Sequence, residues 1–281
     1  RLAGGGANWI VRGLSLLATL LVAAVALVNI RFDASAMYGL FSSAMPVFWV
    51  LLAGIGALGA AWPPVGCLVA LIAFAVMLGF NGAYLLAGAL AVVVGAWWWT
   101  IGRHSNETAI ALMLEPLLGS FGLGAASPVT AGMLLSVVEA AATAVCAAVV
   151  AFAFAALGSS DLMNWGIMMN AVTAANPLIS GPSINGTALA MLTSPAMWCI
   201  LGSWVVAAVV YALCCIRGTQ RFDVIGAVGA AAALLAGVLA GSALGSAAFD
   251  PLSLVCALVP GVTGIVAAAI GLPDKARTEA D

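Results

Sequence analysis

Long apolar stretches alternate along the chain with short clusters of arginine, aspartate, proline, glycine and serine. A helix crossing the hydrocarbon core of a bilayer needs about 20 mainly apolar residues, or roughly 17 at the short end. By that measure eight stretches predict spanning helices, near residues 14–30, 44–61, 65–80, 83–101, 131–157, 196–216, 224–248 and 252–272. Breakers mark their ends. Trp62-Pro63-Pro64 closes the second, because two consecutive prolines cannot continue a helix, and Asn81-Gly82 supplies a tight turn between the third and fourth. The expected architecture is all-α: a polytopic transmembrane bundle filling residues 14–272, with a lead-in at 1–13 and a charged tail at 273–281.

Two passages depart from the spanning pattern. In 109–130 the apolar run is interrupted by Glu115-Pro116 and a passage rich in glycine, serine and proline. In 162–194 a segment too short to cross precedes Asn176-Pro177-Leu178-Ile179-Ser180-Gly181-Pro182. Both are predicted as interfacial helices or re-entrant loops. Glu115-Pro116-Leu117-Leu118-Gly119-Ser120 also echoes Asn176-Pro177-Leu178-Ile179-Ser180-Gly181. Interrupted segments that enter from opposite faces are one way transporters build a site at the membrane midplane.

Composition names the solvent. Only 6% of the 281 residues are charged and 65% are hydrophobic, where a soluble domain carries roughly 25% charged residues. So much apolar surface belongs in lipid. With the N-terminus on the cytoplasmic side, Arg1, Arg12, Arg103, Arg217, Arg221, Lys275 and Arg277 share that side, and only Arg31 falls outside. Cytoplasmic loops collect arginine and lysine, so this distribution predicts N-in, C-in topology with the two passages not crossing. A formal charge of −2 points to no nucleic-acid partner.

Candidate chemistry is sparse. Glu139 is expected about two turns into the fifth span, roughly 12 Å along the helix from Ala131. A carboxyl at that depth faces the bundle interior, is protonated or finds a donor. Ser136 and Thr143 share its face at i−3 and i+4, and the stripe reads either as a proton- or cation-linked site or as a hydrogen-bonded packing feature. Glu115 either caps a broken turn or sits among headgroups, and Asn176 is its counterpart in the second passage. His104, the only histidine, stands beside Arg103 at the cytoplasmic boundary. Gly237, Gly241 and Gly245 recur every four residues on the seventh span, a spacing that lets another helix approach closely, in the same chain or in a second copy.

Catalysis, metal binding and cofactors find no support. No G-x-S-x-G or phosphate-binding loop is present, and Gly181-Pro182-Ser183-Ile184-Asn185 lacks the final glycine. The six cysteines lie in apolar runs without a C-x-x-C pair and read as small buried hydrophobes. Ala34-Ser35-Ala36 has the form of a signal cleavage site, but the apolar run before it exceeds the roughly 7–15 residues of a signal core, so it is read as a retained span.

Trp97-Trp98-Trp99-x-x-Gly102-Arg103, followed by Glu115-Pro116 and Ala126-Ser127-Pro128, resembles the polytopic membrane region that follows the kinase domain in some actinobacterial serine/threonine protein kinases. The resemblance covers residues 49–161. It implies a bacterial plasma-membrane location and a cytoplasmic catalytic domain ahead of Arg1; none of the kinase catalytic motifs lies in this chain. Two functions are thus expected: a membrane domain that anchors or senses for a larger cytoplasmic signalling protein, or a small-solute permease or channel built around the broken passages and Glu139.

Overall fold

A computed structural model describes residues 5–29, 46–119, 121–157, 184–244 and 251–270. Among them the backbone is helical with short turns, and no strand is present. The helices are α1 (Gly5–Asn29), α2 (Pro46–Ala61), α3 (Pro63–Phe80), α4 (Tyr84–Trp97), α5 (Asn106–Gly119), α6 (Ala126–Leu134), α7 (Val137–Leu157), α8 (Ile184–Thr193), α9 (Pro195–Cys215), α10 (Gln220–Leu244) and α11 (Pro251–Ile270). One π-helical turn, Trp98–Gly102, prolongs α4. Six helical stretches are long and apolar enough to cross a membrane: Trp9–Val28, Pro63–Phe80, Tyr84–Gly102, Val137–Ala156, Pro195–Cys215 and Gln220–Leu244. Pro46–Ala61 and Leu254–Ile270 are apolar but shorter. A helix stands at each of the eight predicted stretches.

Small residues set how the helices meet. Gly66 of α3 lies against the backbone of Gly59 in α2, and Gly59 in turn meets Thr19 of α1. On α10, Gly226 faces Cys214, Gly237 faces Ser203 and Cys199, and Gly241 faces Ala196. Positions that rise along α10 fall along α9, so the two form an antiparallel hairpin. The small-residue stripe is therefore occupied within the chain through Gly237 and Gly241; Gly245 lies outside the described residues. Gly261 against Ala231, and the Gln220 side chain donating to the Ala269 carbonyl at 2.7 Å, place α11 antiparallel to α10.

The central passage corrects the expectation of one continuous helix over 131–157. The chain breaks at Leu135, whose backbone is extended (φ −111°, ψ 160°), and at Ser136. Nor does Glu115-Pro116 end a helix. Pro116 lies inside α5, which runs on to Gly119. Proline withholds an N–H from the carbonyl one turn back, and the neighbouring carbonyl of Ala111 gains a donor from the hydroxyl of Ser127 in α6, at 2.6 Å.

Helices α5 and α6 form a hairpin. Its turn needs Gly122 at φ +80°, a backbone shape that β-carbon-bearing residues rarely adopt. The Leu118 carbonyl accepts from both Phe121 and Leu123 and closes the turn. Ser127 meets Ala111 and Gly124 stands by Glu115, so α6 returns antiparallel to α5. Against α9, Gly124 touches Trp204 and Gly132 touches Ala208 and Tyr211, so α6 runs parallel to α9. Ala140 and Ala144 of α7 then cluster with Ala208 and Ala212 near the end of α9. Both feet of the hairpin thus stand at the Arg103 and Arg217 end of the bundle, while its tip reaches Trp204 near the middle of α9. At about 1.5 Å per residue, Trp204 is roughly 20 Å along its helix from Arg217.

The hairpin is enclosed. On α5, Thr108 to Met113, Glu115, Pro116 and Gly119 are buried, and the helix packs on α1, α3, α6 and α7. A helix apolar on every side belongs inside a bundle or in lipid. The second passage is described only from Ile184, where α8 begins. Asn176, Pro177 and residues 162–173 lie outside the described residues.

Candidate functional site

Glu139, Ser136 and Thr143 do not form one polar stripe deep in a span. Because the chain breaks at Ser136, Glu139 falls in the first turn of α7 and is partly exposed. Its Oε2 accepts from the backbone N–H of Ser136 at 3.1 Å and from the Ser136 hydroxyl at 2.9 Å. Serine followed three residues later by glutamate is the capping-box spacing, in which the glutamate reaches back to the N-cap N–H and its charge sits at the positive end of the helix. Glu139 therefore starts a helix. Ser136→Ala and Glu139→Ala are each expected to cost about 1 kcal/mol in chemical unfolding. The double variant should cost less than their sum, because both act on one bonded pair.

Thr143 belongs to a different pair. Its Oγ1 accepts from Trp97 Nε1 at 3.1 Å inside the bundle, which ties the end of α4 to α7. This divides the three consecutive tryptophans. Trp97 is buried, and its ring lies over Gly102, where a β-carbon would come within 2.6 Å of it. Trp98 donates to the Pro64 carbonyl at 2.9 Å. Only Trp99 is open, at 64% exposure, with the Arg103 guanidinium 4.6 Å from its ring centre. Nothing in the spacing of Trp97-Trp98-Trp99 marks one of them as internal; the π turn that rotates them apart does.

Glu115 is the residue the fold singles out. It is 2% exposed, enclosed by protein rather than set among headgroups, and its Oε2 has no hydrogen-bond partner among the described residues. Gly124, at the start of the returning arm, makes room for it. A β-carbon there would stand 3.5 Å from Glu115 Oε1 and 3.3 Å from Trp204 Cη2.

Trp204, absent from the sequence-predicted residues, supplies a second unpartnered polar atom. It is 2% exposed, and its Nε1 has no acceptor among the described residues. Ser15 Oγ on α1 is a third, beside a narrow pocket between α1 and α5 lined by Ala18, Met113 and Leu117. Unbonded buried polar atoms are uncommon and costly, at about 1–3 kcal/mol each. Two of the three belong to side chains that meet Gly124 at the hairpin tip through other atoms, Glu115 through Oε1 and Trp204 through Cη2. Cys146 of α7 is within electrostatic reach of both Glu115 and Cys67 of α3, yet among the described residues no three histidine, cysteine or acidic side chains are grouped to hold a metal.

Comparison with protein-family models, curated proteins and solved structures finds no match to this chain.

Proposed function

We propose that this chain is an integral membrane protein that moves a small solute in step with a proton, with Glu115 carrying the proton at the tip of a re-entrant hairpin. In this reading α1, α2, α3, α4 with its π turn, α7, α9, α10 and α11 cross the bilayer, and both termini lie on the cytoplasmic side of a bacterial plasma membrane. Helices α5 and α6 enter from the arginine-bearing side and turn back near mid-depth. Phe121, 70% exposed at the tip, then meets hydrocarbon. The observation that carries the reading is Glu115 itself. A buried carboxyl without a partner costs stability, and intramembrane ionisable groups of this kind mark proton and substrate paths. Broken and re-entrant helices are how such sites are built within a bilayer.

The test is reconstitution in liposomes loaded with a pH-sensitive dye. The parent chain is expected to acidify the lumen under an inward solute gradient at pH 6, and Glu115→Gln to lose that response while keeping its helix content. Equal acidification by the parent and Glu115→Gln would end the assignment of Glu115.

A second reading, the anchoring or sensing domain of a cytoplasmic signalling protein of the kinase type, is favoured by the Trp97-to-Arg103 pattern together with Glu115-Pro116 and Ala126-Ser127-Pro128. In that case Glu115 serves as the sensed group, and the reading frame upstream of Arg1 encodes a kinase domain. An initiator methionine a few codons upstream of Arg1, with no domain before it, would remove this alternative.

A further inference from the structure

We infer that the hairpin tip is a binding site for a small monovalent anion, held between Glu115 and Trp204 and taken up together with a proton. The transport half of this inference rests on the permease reading; the binding half stands without it.

Two donors at the tip lack acceptors. An indole N–H can only donate, and that of Trp204 is buried with nothing to donate to among the described residues. A carboxyl in an apolar interior is neutral, because an isolated buried charge is far more costly. A neutral carboxyl adds an O–H donor, and Glu115 Oε2 is also without a partner there. The two side chains meet Gly124 through Glu115 Oε1 and Trp204 Cη2, and the polar atoms they leave unbonded, Oε2 of a protonated Glu115 and Nε1 of Trp204, both call for a hydrogen-bond acceptor. Helix α6 begins there and turns its positive end toward Glu115. Its contribution is the dipole. The N–H groups of Ala126 and Ser127 already donate to Leu123 and Gly124, and Pro128 has none.

The balance of charge points the same way. On the elements packed around Glu115 the titratable groups away from the hairpin's feet are Cys67 on α3, Cys146 on α7, and Cys199, Tyr211, Cys214 and Cys215 on α9, none of them a cation at neutral pH. Arg12 lies about two turns into α1, while Arg103, His104 and Glu107 stand at the foot of α5 and Glu139, bonded to Ser136, at the start of α7. With no fixed cation at the tip among the described residues, an anion needs a proton as companion, and Glu115 holds one. The pair enters without net charge. Arginines at the feet raise the local anion concentration at the way in.

The probe is chloride against gluconate, measured on the full chain in two ways. In detergent at pH 6, chloride is expected to raise the melting temperature of the parent. Trp204→Phe, which keeps a ring and removes the N–H, is expected to need at least tenfold more chloride for the same shift. In liposomes, an inward chloride gradient is expected to acidify the lumen, and Glu115→Gln to pass chloride without protons. Absence of any chloride-dependent melting shift, or one that Trp204→Phe leaves unchanged, overturns the anion site. Acidification driven by potassium or sodium gradients and indifferent to chloride overturns it as well and leaves the permease reading standing. Chloride binding with no proton movement under any gradient supports the site and overturns the permease.

Discussion

Gly132→Leu is expected to be the most damaging single change within the described helices. A β-carbon at residue 132 would stand 2.7 Å from the Ala208 carbonyl oxygen, 2.8 Å from Tyr211 Cβ and 3.2 Å from Ala208 Cα. Two of those three atoms belong to backbone, which no rotamer change can move aside. Helix α6 is held from its other side as well, because Gly264 of α11 lies against Val129, and the Tyr211 hydroxyl donates to the Gly264 carbonyl at 3.4 Å. The returning arm has nowhere to shift. Overpacking a close-packed interior costs about 1–3 kcal/mol for small insertions, and a whole isobutyl group against backbone should reach the upper end or exceed it. Chemical unfolding in mixed micelles measures this, with Gly202→Leu as the comparison: residue 202 has nothing within 4 Å of its would-be β-carbon. Similar losses at both positions would mean that α6 is not seated on α9.

Glu115→Met is expected to act in the opposite direction and make the fold firmer; under the proposed permease reading it also removes transport. Replacing a buried, unbonded carboxyl with an apolar side chain of similar length removes a desolvation cost and breaks no bond. Chemical unfolding in mixed micelles at one fixed pH measures this: Glu115→Met should need more denaturant than the parent to unfold, and equal midpoints would show that Glu115 is solvated.

The sequence was most informative where the signal is length and polarity. Apolar runs bounded by Pro63-Pro64, Asn81-Gly82 and Arg217 placed α2, α3, α4, α7, α9, α10 and α11 to within a turn or two, while α1 starts at Gly5, before residue 14, and α5, α6 and α8 fall in passages for which no helix bounds were predicted. The stripe of Gly237 and Gly241 was legible as a packing face, though which helix it meets is a tertiary fact. The site was harder to read. Glu139 looked buried because the run from Ala131 to Leu157 is long and apolar enough to span, although Ser136-x-x-Glu139 within it has the spacing of a helix start and marks the corner at Leu135. Its cause lies elsewhere, in the seat that Ala208 and Tyr211 provide for Gly132. Glu115 was visible as a candidate but misplaced, since proline after it biases the chain against helix and tertiary packing overrides that bias. Trp204 carries no local mark at all; only the approach of Gly124 gives it a role.

The order in which the parts emerge depends on how α6 is seated. Its two supports, α9 and α11, are synthesised after it, so Trp204 and Gly264 have not yet been added when Leu134 leaves the ribosome. During that interval the nascent hairpin has Glu115 and no Trp204 to lie beside. Until α11 is released, the hairpin therefore lacks the second of its two supports, so a chain truncated near the C-terminus leaves α6 held only by α9.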